Sequence, residues 1–197
     1  MMRKLFMAVL LGAVAFTVQA EDAGPERSRI HNFAAAVVPA LQTPDSGEDV
    51  ALLRVSLVCG QHRSVYGLDF GVIGNIVDEE FIGCGIAMIF NWTGNSRSAF
   101  QFAGGMNRSS KDFEGLQMAL LLNDVEHGLV GLQIGLANVV DEVVGMQLGG
   151  FNKIRIGSGF QLGAVNVAEQ FTGVQIGLLN LNLDSSVPLA PIFNCRF

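Results

Sequence analysis

The side chains best suited to metal or proton chemistry are His31, His62 and His127, the only three histidines. They sit in unrelated contexts, and no His/Cys spacing near them would hold a metal. Cys59, Cys84 and Cys195 form an odd set, so at least one thiol stays unpaired and the chain is no disulfide scaffold. No serine lies in a Gly-x-Ser-x-Gly elbow. Gly83-x-Gly85 and Gly157-x-Gly159 lack the third glycine of a dinucleotide loop. Asp141-Glu142 could serve acid–base work, but the pair falls in a segment where solvated charge is expected. No Asp-x-Asp-x-Asp or Gly-Gly-x-Gly-x-Asp run provides a calcium loop. Asn91-Trp92-Thr93 and Asn107-Arg108-Ser109 match the glycosylation sequon, yet both asparagines belong to a repeat, where structural use is expected. The residues therefore assign no catalytic group, no metal and no cofactor, and the chain is read as not an enzyme.

What does recur is the side-chain amide. Gly131-Leu132-Gln133-Ile134-Gly135-Leu136-Ala137-Asn138 is one unit of a pattern Gly-x-Gln-apolar-small-x-x-Asn. Clear units start at residues 67, 83, 99, 115, 131, 145, 159 and 173, so the spacing is 16 and then 14. The closing asparagine is Asn75 in the first of these. Extension by 14 residues reaches Val187-Pro188 and Asn194; extension back by 16 reaches a degenerate unit at Ala51, with Cys59 in the Asn slot. That makes about ten units over 51–197, a repeat architecture. The amides with fixed positions are Gln101, Gln117, Gln133, Gln147, Gln161 and Gln175, and Asn91, Asn107, Asn123, Asn138, Asn152, Asn166, Asn180 and Asn194. Stacked amides can bond to one another in ladders along such an array.

Within a unit the period is two, which means strand. Two all-β folds could use it. One is a β-solenoid, parallel β-helix-like, with 14- to 16-residue coils. The other is an antiparallel outer-membrane-type β-barrel with one strand per unit. Blocked spacings favour the solenoid, because a coil must match the cross-section of its neighbours. The fixed amides favour it too. A membrane barrel wants Trp and Tyr girdles, and the chain has one of each. The alternating Phe193-x-Cys195-x-Phe197 end keeps the barrel open as the alternative.

Residues 1–20 read as a signal peptide. Arg3 and Lys4 precede an apolar run from Leu5 to Val18, and Val18-Gln19-Ala20 offers a cleavage site. Residues 21–50, with Pro25, Pro39 and Pro44, read as a mobile arm with one short helix around Phe33–Val38. Lys+Arg is 12 against 18 Asp+Glu, a net charge of -6. Losing Arg3 and Lys4 with the signal would leave 10 against 18, or -8. Such a chain is a poor nucleic-acid binder. Gly is 24 of 197 residues, above the usual ~7%, and half the chain is hydrophobic, which excludes disorder.

The run of Gly-x-Gln-apolar-Gly-x-x-Asn units resembles a family of exported bacterial surface-repeat proteins. Val65-Tyr66-Gly67-Leu68-Asp69 and Pro188-Leu189-Ala190-Pro191-Ile192-Phe193-Asn194 are similar to that family's two ends, and the resemblance covers residues 51–197. Gly74 before Asn75, Gly85 in a Gln slot and the Gln-free unit at Val187 depart from it. The resemblance implies a secreted, periplasmic, outer-membrane or cell-surface protein and brings no catalytic residues with it. The function expected is a non-enzymatic structural or binding scaffold whose Gln/Gly face meets a protein, a glycan or an envelope component, with membrane contact possible. Runner-up readings are an outer-membrane barrel and a polysaccharide-active solenoid enzyme using turn carboxylates.

Three expectations follow for the interior. Positions two and four should be buried, with Leu116, Leu132, Met146, Phe160 and Val174 in one stack and Met118, Ile134, Leu148, Leu162 and Ile176 in another. Cys59 and Cys84 should not be bonded to each other. Arg155, ten residues into its unit, should approach Asp141 or Glu169, which hold the same place one coil away.

Overall fold

A computed structural model describes residues 29–197, and the expected signal segment lies outside them. No helix occurs among the described residues. Strands β3 (Asp49–Ser56), β4 (Cys59–Gly71), β5 (Gly74–Ala87) and β6 (Phe90–Ala103) stack in parallel, each on its predecessor. Strands β7 (Met106–Ser109) and β8 (Phe113–Ala119) continue β6 as two parts of one coil, and both are followed by β9 (Leu122–Asn182). β9 winds without a break through the remaining coils. The result is a β-solenoid of about seven turns. The antiparallel barrel is thereby set aside.

Both ends differ from expectation. From Ile30 onward the N-terminal arm is part of the stack. β1 (Ile30–Val38) pairs in parallel with β3, and β2 (Leu41–Thr43) folds back antiparallel on β1. Phe33–Val38 is therefore strand and not helix, because β3 offers a free parallel edge on which it can complete its hydrogen bonds. At the other end β10 (Leu189–Arg196) runs antiparallel to the last coil, with Asn194 opposite Gln175 and Cys195 opposite Val174. The turn at 183–188 reverses the chain, so the unit expected at Val187 is a hairpin strand and not a coil. These reversed strands form the two ends of the sheet and break there the parallel pattern that a further coil would follow.

The apolar interior comes from places the repeat pattern did not mark. Two residues after each Asn the side chain points in: Val77, Val125, Val140, Ile154 and Ala168 are buried. Two residues before each unit start it points in again, at Val65, Phe81, Phe113, Leu129, Val143 and Phe171. These residues form one contiguous cluster along the stack. The segments between Asn and Gly, read from sequence as turns, thus supply the hydrophobic core.

The first glycine of the unit answers a backbone demand. Gly67, Gly83, Gly115, Gly131, Gly145, Gly159 and Gly173 all have φ between 131° and 149°. At Gly131 a Cβ would stand 2.0 Å from the Gly115 carbonyl oxygen. Where the unit starts with Ala99, the positive φ moves to Ser98 (46°) and the register shifts there by a bulge. Leu52 pairs with Gly67 and takes φ 78° itself, so the first coil starts at residue 52 and not 51.

Candidate functional site

Because side chains alternate, the two sets at positions two/four and three/five must face opposite ways, and which set faces in depends on what can be satisfied there. The amides are inside. Gln117 donates to Gln101 at 3.2 Å, Gln133 to Gln117 at 3.0 Å, Gln147 to Gln133 at 2.9 Å, Gln161 to Gln147 at 2.8 Å and Gln175 to Gln161 at 2.7 Å. Each of these glutamines is at most 1% exposed. The Asn column begins one coil before Asn91: Asn75 donates to Asn91, and the chain continues through Asn107, Asn123, Asn138, Asn152 and Asn166 to Asn180 at 2.7–2.9 Å. The second hydrogen of each amide goes to backbone of the next coil, as from Asn123 to the Ile134 carbonyl at 2.8 Å. Asn194 is not in this column. It lies on the reversed β10, takes a bond from Ser185 Oγ at 3.2 Å and donates to the Val187 carbonyl at 3.2 Å.

The two ladders have opposite polarity. Every Gln donates toward the N-terminal end and every Asn toward the C-terminal end. Each therefore finishes in one buried acceptor with no partner: Gln175 Oε1 at one end and Asn75 Oδ1 at the other.

A buried ion pair heads the Gln column. Asp69 occupies the Gln slot of its unit, and Arg54 is its register partner one coil earlier. Arg54 Nε and Nη2 donate to the two carboxylate oxygens at 2.7 and 2.6 Å, and Nη1 donates to the Ile76 carbonyl at 2.9 Å. The same Nη1 lies 3.1 Å from His62 Nδ1, while His62 Nε2 lies 3.1 Å from the Pro44 carbonyl. Since an arginine can only donate, Nδ1 must accept and Nε2 must carry the hydrogen, which leaves the ring neutral. Burial, then the Arg54 charge, push the His62 pKa down to about 4. Gly85 follows in the next slot, where the Phe81 ring fills the space a side chain would take. Sequence inspection missed this cluster because the first coil is 15 residues long. With that spacing Arg54 and Asp69 fall in line with the glutamines.

The other candidates are dispersed. His31 Nε2 is 3.3 Å from Glu48, and His127 Nδ1 is 3.2 Å from the Ser110 carbonyl. Among the described residues no three His, Cys, Asp or Glu converge on a metal position. The three thiols are free, and burial raises the Cys59 pKa to about 11. Gly60, not Cys59, is aligned with Asn75. Arg155 lies 3.0 Å from Glu142, so it pairs across adjoining coils with the neighbour of Asp141. The sequon asparagines Asn91 and Asn107 are ladder members at most 1% exposed.

Positions two and four, expected inside, are outside. Leu116, Met118, Leu132, Ile134, Phe160, Val174 and Ile176 are half-buried, while Met146 and Leu162 are over 40% exposed. Their side chains rest against one another on the outer surface, in columns that begin at Phe33 and Ala35 and pass Leu53 and Val55, Leu68 and Phe70, Cys84 and Ile86, and Phe100 and Phe102. The flanking corner adds Met88, Leu120, Leu121, Leu136 and Leu178, all more than half exposed. No charged side chain and no hydroxyl points outward from this face between Leu68 and Ile176. The Gln/Gly lattice expected on the surface is the inner side of this same sheet. Monomeric proteins rarely expose an apolar patch beyond a few hundred Å².

No family model, no curated protein and no solved structure matches this chain.

Proposed function

We propose that this chain is a non-enzymatic, exported scaffold that works through its outer apolar sheet face, which another apolar surface covers in the working state. The observation that carries this is the unbroken apolar character of the outward positions across eight successive units. The interior does not need them, since the amide ladders and the Phe81–Phe171 cluster already fill it. Retaining large hydrophobes at water-facing sites through every unit points to a partner that removes them from water. Export, by the segment at 1–20, and kinship with surface-repeat proteins belong to the same reading.

The test compares charge on two sides of the solenoid in cells expressing the full chain. Met146→Glu with Leu162→Glu places charge on the face, and Val144→Glu places it on the adjoining side, across the Gly145 corner. The envelope-associated, high-mass fraction should be lost for the first and kept for the second, with Glu21 as the new N-terminus of both. Equal behaviour of the two variants would overturn the reading.

A further inference from the structure

Resting on that reading, we propose that the surface covering the face is a second copy of this chain, laid face to face with its coils running the opposite way. Size is the first argument. Seven steps of ~4.8 Å by six residues of ~3.3 Å give roughly 700 Å² of projected face, close to the ~800 Å² per partner of a standard stable interface. Side-chain relief brings the accessible area higher still. Charge is the second. A protein face that lies on lipid is ordinarily flanked by Lys, Arg and Trp. Here the one Trp, Trp92, sits on another side, beneath Arg108 at 5.6 Å. The chain as a whole is acidic, at -6, which repels anionic headgroups. Two acidic molecules can still meet through this face because their charges lie on the remaining sides.

Closure is the third argument. β2 and β10 reverse the strand direction at the two ends, so copies cannot continue the parallel coils end to end, and an isologous pairing can use the large apolar face instead. Shape sets the direction. A shallow, open groove runs along the C-terminal half of the face, lined by Leu148, Leu162, Ile176 and Leu178, with Ile192 beside it. The N-terminal half carries the bulkier Phe100, Phe102 and Met118 in the matching columns. A two-fold axis along the strands, between Leu132 and Met146, lays each aromatic half over the partner's groove. Parallel coils would set groove against groove and leave a void.

The same axis places Cys84 of each copy opposite Cys195 of the other, because the two thiols lie in one column, equally many coils to either side of the axis. This gives a reporter. In sedimentation equilibrium the purified chain should weigh as a dimer at low micromolar concentration. A short bis-maleimide should join Cys84 to Cys195 between copies. Leu132→Glu and Met146→Lys should each weaken the dimer at least 100-fold. Mixed in equal amounts, they should re-form it, since the introduced carboxylate and ammonium then face each other. Both variants alter outward side chains, and unchanged far-ultraviolet dichroism verifies that each is folded. Val144→Glu should remain dimeric. A chain that stays monomeric at 50 µM overturns the proposal, and so does a Cys84–Cys84 product. Flotation of the monomer with phosphatidylcholine vesicles would assign the face to lipid, overturning self-pairing while leaving the reading of the face itself intact.

Discussion

Arg54 and Asp69 are register partners on adjacent coils, wholly buried, joined by two bonds of 2.7 and 2.6 Å. They take the place in their coils that a glutamine takes from residue 101 onward. Removing one member strands a charge in the interior, whereas removing both removes the desolvation cost as well. Arg54→Met and Asp69→Leu should each cost about 3–5 kcal/mol. The double substitution should recover more than half of the summed loss. Urea denaturation midpoints of the four proteins decide it, and additive losses would contradict the account.

The inward and outward sets of one strand should respond oppositely to truncation. Gln147→Ala leaves Gln161 Nε2 and Gln133 Oε1 buried without their partner, at about 1–3 kcal/mol for each. Leu136→Ala, at a site 61% exposed, should change stability by less than about 0.5 kcal/mol. Phe171→Ala should cost about 3–5 kcal/mol. A larger loss at Leu136 than at Gln147, measured on monomeric protein, would reverse the assignment of inside and outside.

That assignment is where sequence reasoning and structure part. Strand, repeat length and parallel stacking were all legible, because a block of 16-residue spacings followed by 14-residue ones makes sense only for coils that must match. The sidedness was not. Period-two alternation separates two faces without saying which is dry, and the usual preference puts Leu132 in and Gln133 out. The ladders override it because within each row an amide donates to the coil on one side and accepts from the coil on the other. The true core residues, such as Val125 and Leu129, are interleaved with charged ones such as Asp124 and Glu126, and that mixture masked them as turn. The reversed β10 was hidden for another reason, since Asn194 keeps the Asn spacing although the chain there runs backward.

Acid should unfold the N-terminal end through His62. The ring is neutral when folded, and its pKa sits near 4 instead of the ordinary 6.5. The folded state then binds fewer protons than the unfolded one between those values, so stability falls as pH drops from 6.5 to 4 and levels off below. The loss is on the order of 2–3 kcal/mol. Protonation would put a hydrogen on Nδ1, facing the Arg54 Nη1 donor. His62→Gln should flatten this part of the pH profile. Denaturation midpoints at pH 7 and pH 4.5 measure it, and an unchanged slope in the variant would assign the effect elsewhere.

The corner glycines predict two opposite effects. Gly131→Ala puts a methyl 2.0 Å from the Gly115 oxygen at φ 141°, and should lower the melting temperature sharply. Leu52→Gly, at φ 78° in the same register position, relieves a strained backbone. It should stabilise by about 1 kcal/mol, the low end of the cost of such a conformation. Calorimetry of the two variants would expose an error if both moved the same way.

The opposed ladders bear on how long such a molecule can be. A row of aligned amides is a row of dipoles, and a single ladder would gather partial charge at its ends, as a helix does. Here one row points up and the other down, so their moments oppose along the axis. Adding or deleting a coil inserts or removes one Gln dipole and one Asn dipole together. The number of unmet acceptors remains one at each end whatever the count of coils. Length is thereby electrostatically neutral, and a chain of this design can gain or lose repeats without rebuilding its caps.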